Sequence, residues 1–221
     1  MLDIETAPID GVEQYLGNLK PRAGWKDETK IKEDLEKRSA KERDNASLDP
    51  DLCRVVALAF VWEGDAKVQG GAARTEDDER KLLTRFWQVF QSDPFKPRIC
   101  GFNVSGFDVP VLLRRSQFLH VPAPSFRLGR YAYQMPGILD LQNEFTLDRH
   151  EKFEMRSKDW WLKRTGLADK IQNPCSGADV GALIALGDFD TPLAHCKADV
   201  AAEVLLAQWL GLWPESPAVV A

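Results

Sequence analysis

Apolar and polar residues alternate over Met1-Leu2-Asp3-Ile4-Glu5-Thr6, and this period of two predicts a β-strand. Leu2 and Ile4 then share one face, while Asp3 and Glu5 project side by side from the other. Residues 7–19, with Pro8, Gly11 and Gly17, read as a loop. In 27–45 the pairs Glu33–Lys37 and Asp34–Arg38 stand four apart with the acid first, and only Ile31 and Leu35 are apolar, which predicts a surface helix, either mobile or folded over a site, with a solvated helix of no further role as the alternative. The near-continuous apolar run at 53–62 predicts a buried strand. Gly64-Asp65 offers a turn, and 67–70 the start of a returning strand. Residues 75–91 open with acids suited to a helix N-terminus and continue with Leu82, Leu83, Phe86, Val89 and Phe90 at helical spacing. Pro94 and Pro97 end that core helix.

Residues 98–102 predict a short strand, and 103–120 a helix after a tight start, with Val111, Leu112, Phe118 and Leu119 as its apolar residues. A proline-containing loop at 121–137 precedes a short strand at 138–142 that holds Asp140. Helices follow at 156–165, closed by Gly166, at 178–186 and at 192–209. Strands alternating with helices predict a mixed α/β layer fold. One domain is expected over 1–213, with a charged helical insertion at about 20–48 and a tail at 214–221.

The 221 residues suffice for one domain with a proper core. No apolar run approaches the roughly 18 residues of a membrane span, and no secretory signal is visible, so no membrane partner is expected. Cys53, Cys100, Cys175 and Cys196 are scattered without a C-x-x-C pair and read as reduced thiols, several of them buried, in a cytoplasmic protein. A structural zinc site is not expected, because His195-Cys196 has no second ligand pair at finger-like spacing. The net charge of −5 argues against non-specific coating of duplex nucleic acid. It leaves room for an enzyme whose metal-binding acids lower the total.

Three stretches carry candidate chemistry. Two carboxylates on a strand bound for a core call for a cation, and Mg²⁺ or Mn²⁺ suits oxygen ligands. Asp-x-Glu alone also fits a solvated strand end. In 101–108, strand then turn then helix puts Asp108 near a helix start at a strand's C-terminal end, where open α/β sheets place ligands; an acid favoured by the helix dipole fits equally. In the last helix His195 and Asp199 stand four apart on one face, bordering Val200, Val204 and Leu205; a surface pair is the alternative. Asp140 reads as supporting or structural, and His120 and His150 as surface residues.

Taken together, Asp3, Glu5, Asp108 and Asp199 resemble the motifs of the DEDD-type 3′→5′ exonucleases of the ribonuclease-H-like superfamily. The chain is most similar to the proofreading exonuclease domain of family B DNA polymerases, in a stand-alone form. That domain's second motif, Gly-[Phe/Tyr]-Asn-x-x-x-Phe-Asp, is reproduced by Gly101 to Asp108. Leu139-Asp140-Leu141 and the segment 176–180 also look like stand-alone members of that group. The third motif departs from the family, which has Tyr four residues before the Asp or His five before it; here His195 stands four before Asp199. Only two residues precede Asp3, which predicts either a longer native N-terminus or an unusually tight start.

The resemblance implies a ribonuclease-H-like mixed β-sheet flanked by helices. It also implies two divalent ions, Mg²⁺ or Mn²⁺, held by Asp3, Glu5, Asp108 and Asp199, with Asp3 as the bridge and His195 as the group that takes or orients the water proton. The implied reaction releases nucleoside 5′-monophosphates from 3′ ends of single-stranded or frayed DNA. The residues expected to grip the strand are Asn103, Phe107, Arg114, Arg115, Arg127, Arg130 and the stretch 158–164 with Trp160 and Lys163. At least one of Trp160 and Trp161 should be core. A DNA polymerase or another replication or repair protein is a candidate partner. An RNA exonuclease on the same scaffold and a catalytically silent nucleic-acid-binding or polymerase-binding module are the alternatives.

Overall fold

The computed structural model describes residues 1–17, 19–92, 98–126, 136–147 and 154–215. The candidate contacts Arg127 and Arg130, and His150, lie outside them. Strand β1 (Leu2–Pro8) pairs antiparallel with β2 (Cys53–Phe60), and β2 with β3 (Gln69–Ala72). Strands β4 (Ile99–Gly101) and β5 (Ile138–Asp140) form a parallel pair. β4 lies against β1 so closely that a Cβ on Gly101 would come 2.7 Å from the Leu2 carbonyl oxygen. Only glycine fits such an approach, and β1 therefore lies between β2 and β4.

Helices cover both faces of this mixed arrangement. On one face Leu2, Ile4, Val55 and Leu58 pack with Leu83, Phe86, Trp87 and Phe90 of α2 (Glu76–Ser92) and with Val109, Val111 and Leu112 of α3 (Asp108–Phe118). Trp87 can be buried because its Nε1–H donates to Ser116 Oγ at 2.8 Å. On the other face Ala57, Ala59 and Val61 meet Cys196, Val200 and Val204 of the last helix (Asp190–Trp209) and Leu162 of the helix Lys158–Thr165. Counted in chain order with α1 (Glu28–Ala46), α4 (Leu141–Thr146) and α6 (Val180–Ala185), these two are α7 and α5. Among the described residues no helix is long and apolar enough to cross a membrane. All four cysteines are unpaired; Cys53, Cys100 and Cys196 are buried and Cys175 is half-buried.

Three local expectations are corrected. α3 begins at Asp108 and not at 103, because Asn103 adopts φ 58° and residues 103–107 form a turn. The strand expected through 142 ends at Asp140, whose carboxylate accepts the Gln142 N–H and caps α4, a helix the sequence pattern did not indicate. Phe118 is 51% exposed and outside the core.

Candidate active site

β1 brings Asp3 and Glu5 to the sheet face covered by α7. Their cross-strand partners on β2 are Ala59 and Ala57, small residues that leave space beside two carboxylates. The register shifts between Glu5 and Thr6, a bulge that re-aims side chains next to the acids. Asp108 opens α3, and its Oδ1 accepts the Ile4 N–H at 3.1 Å, between Asp3 and Glu5 in the strand. The turn before it is tied down by Asp140, which accepts the N–H groups of Asn103 (3.0 Å) and Ser105 (2.9 Å) and the Ser105 hydroxyl. The Asn103 side chain lies over Gly106 in that turn, where a Cβ would have to displace its Oδ1. Asp140 thus supports the site by holding the backbone that leads into Asp108.

α7 supplies the opposite wall. The Cys196 thiol donates to the Asp3 carbonyl oxygen at 3.2 Å and fastens α7 to β1. His195 Nε2 lies 3.6 Å from Glu5 Oε1 and 3.7 Å from Asp199 Oδ2. Asn173 Nδ2 donates to Asp199 Oδ1 at 3.1 Å. Two residues that the sequence reading did not place here complete the cluster. Lys158, from the first turn of α5, puts Nζ 2.7 Å from Asp199 Oδ2, 3.2 Å from Glu203 Oε1 and 3.7 Å from Asp3 Oδ1. Glu203 stands one turn beyond Asp199 on α7, fully buried. A signal existed for Glu203, the lone acid at i+4 from Asp199 in an apolar run. None existed for Lys158, which reads as the start of an exposed basic stretch.

Burial dominates the electrostatics. Desolvation, reinforced by Asp199 and opposed by Lys158, pushes Asp3 up to about 6. Desolvation with the charges of Asp3 and Asp199 pushes Glu5 up to about 9. Asp108 and Glu203 also rise well above the carboxylate range, first through burial. Burial alone would lower Lys158, but Glu203, Asp3 and Asp199 outweigh it and hold the ammonium protonated. The pattern that sets His195 beside Asp199 and near Glu5 predicts a raised value; burial, the largest influence, lowers it instead.

Several acids that resist ionisation around one ammonium form a site short of positive charge. With all five carboxylates ionised and Lys158 protonated, four negative charges remain, the charge of two divalent ions. Asp3 Oδ2 is buried without a hydrogen-bond partner. Donor atoms of Asp3, Glu5 and Cys196, and of Glu5, His195 and Asp199, lie within 4.8 Å of one another in each set. The donor set fits hard divalent cations, with carboxylate oxygen predominant.

The residues expected to grip a strand divide. Asn103 is exposed beside the site and Phe107 is half-buried, packed against the core at the start of α3. Trp160 and Lys163, three apart, share an exposed face of α5, with the Arg156 guanidinium 5.3 Å from the Trp160 ring centre. Trp161 is the core member of its pair, stacked on Phe145 at 4.2 Å. Arg115 is not at this surface. It is buried and makes two 2.8 Å bonds to Glu79, whose Oε1 also accepts the Val55 N–H at 2.8 Å. Arg114 instead pairs at the surface with Asp51 at 2.7 Å.

Residues 46–160 match a protein family described as a predicted 3′-5′ exonuclease related to the exonuclease domain of PolB. No curated protein matches the chain. Among solved structures, it is similar to the family B DNA polymerase from the hyperthermophilic archaeon Pyrobaculum calidifontis, at 24% identity with a TM-score of 0.58. That alignment covers 76% of this chain but only 23% of the polymerase chain. The likeness is one of fold, a ribonuclease-H-like sheet between helices.

Proposed function

The chain belongs to the family of predicted 3′-5′ exonucleases related to the PolB exonuclease domain, and from that premise we propose that it is a metal-dependent hydrolase of single-stranded or frayed DNA 3′ ends. The observation that carries the reading is that Asp3, Glu5 and Asp199, from the two ends of the chain, meet around Lys158 and His195, with the buried Asp108 carboxylate held against the Ile4 N–H between Asp3 and Glu5 in the strand. These four carboxylates would hold two Mg²⁺ or Mn²⁺ ions, which would neutralise charge on the attacking and leaving oxygens.

The chain's own groups account for the remaining steps. His195 Nε2, facing Glu5 and Asp199, takes or orients the proton of the attacking water. Its lowered pKa keeps the imidazole neutral, and therefore able to accept, at neutral pH. Water adds to phosphorus, the bond to O3′ breaks, and a nucleoside 5′-monophosphate leaves. Asn103, Phe107, Trp160 and Lys163 grip the strand by stacking and phosphate contact. Arg115 has no part in that grip, being committed to Glu79.

The test is a gel of 5′-labelled DNA and RNA oligonucleotides with Mg²⁺, Mn²⁺ or EDTA. A ladder shortening from the 3′ end of DNA, abolished by EDTA, is expected. A ladder on RNA alone moves the substrate to RNA, and binding without cleavage makes the chain a silent module.

A further inference from the structure

We propose that Lys158 is a tethered cation that fills the acid cluster when no divalent ion is bound, and that Glu203 is the partner to which it withdraws when ions bind. The inference rests on the reading of Asp3, Glu5, Asp108 and Asp199 as metal ligands. A buried carboxylate cluster without a counter-charge is costly, and the ammonium touching Asp199, Glu203 and Asp3 supplies one. Yet at 2.7 Å from Asp199 Oδ2 it occupies a ligand oxygen and would stand against a dication. It must therefore retreat for the ligand to turn to metal.

Glu203 has what such a retreat needs. It is 1% exposed, its Oε1 already meets Lys158 at 3.2 Å, and its Oε2 is buried without a hydrogen-bond partner. A Lys158–Glu203 pair is neutral as a unit and leaves the four proposed ligands with four negative charges, those that two divalent ions cancel. Lys suits the task because its charge rides on a flexible four-carbon stem. The arrangement keeps the cluster compensated without metal and lowers metal affinity below that of the acids alone.

The test is calorimetric titration of Mn²⁺ without nucleic acid into wild type, Lys158→Met, Glu203→Gln, the double variant and Asp3→Asn. Lys158→Met should bind at least about tenfold more tightly, the effect of removing a nearby like charge. Glu203→Gln leaves the ammonium only Asp3 and Asp199 and should bind several-fold more weakly, an effect that shrinks in the Lys158→Met background. A role for the lysine in packing alone would not produce this opposition of signs or its cancellation. The double variant removes one charge of each sign, so it stays folded if Lys158→Met alone does not; it should still bind more tightly than wild type. Unchanged or weaker binding in Lys158→Met and in the double variant, with binding lost in Asp3→Asn, overturns the lysine proposal and leaves the metal site standing. Binding undiminished by Asp3→Asn overturns the site itself.

Discussion

Replacing Glu5 by Gln should stabilise the metal-free protein at neutral pH. Burial and the charges of Asp3 and Asp199 raise Glu5 from its ordinary 4.5 to about 9. A carboxyl raised by folding contributes stability at low pH and loses it as pH climbs from the unfolded value toward the folded one. At pH 7.5 the unfolded chain has released this proton while the folded site still holds it. Three pH units at 1.36 kcal/mol each set an upper bound of about 4 kcal/mol, and relaxation of the cluster brings the expected gain to about 2–4 kcal/mol. Gln keeps the shape and does not titrate. Urea unfolding in EDTA should therefore show Glu5→Gln more stable than wild type at pH 7.5, nearly equal to it at pH 5, and of similar m-value. Saturating Mn²⁺ should reverse the order, because only wild type retains the full ligand set. A variant less stable than wild type at pH 7.5 in EDTA, or one with the same pH slope, would refute the reasoning.

Other outcomes follow from the same geometry. Arg115→Ala strands the buried Glu79 carboxylate and should lower stability by about 3–5 kcal/mol, whereas Arg115→Met with Glu79→Gln, which removes both charges and keeps an acceptor for the Val55 N–H, should recover most of that loss in urea midpoint. Trp160→Ala should weaken single-stranded DNA binding by roughly 1–3 kcal/mol without moving the urea midpoint; a fall in both would make Trp160 a packing residue. His195→Ala should lose about 10²–10⁴-fold in single-turnover rate and flatten the rise of activity with pH, whose midpoint in wild type should lie on the acid side of an ordinary histidine. Cleavage at the wild-type rate with an unchanged profile would leave His195 without a catalytic role.

Local patterns carried most of the strands and helices, because alternation in β1, the apolar run of β2 and the stripe of α2 each record a face turned to the core. Asp3 and Glu5 were legible for the same reason, as acids placed where a strand faces a layer. The pattern could not show α4, since Asp140 both ends a strand and caps the helix that follows within one residue. Long-range pairing was equally hidden. Arg114-Arg115 reads as one basic patch, but the structure sends Arg115 inward to Glu79, 36 residues earlier, and leaves Arg114 outside. Lys158 shows the same limit in reverse. An ammonium at a helix start reads as solvated, and only the fold reveals the carboxylates of Asp3, Asp199 and Glu203 around it. His195 was placed correctly beside Asp199, yet the sign of its shift depended on burial, which spacing does not encode.

The most direct measurement compares wild type with Asp108→Asn on a 5′-labelled single-stranded DNA in Mg²⁺, both purified alike and both shown to unfold cooperatively. Asparagine keeps the acceptor for the Ile4 N–H and removes only the charge. Wild type should shorten the strand stepwise from its 3′ end, and Asp108→Asn should leave it intact; equal cleavage by both, or none by either, would contradict metal-dependent hydrolysis at this cluster.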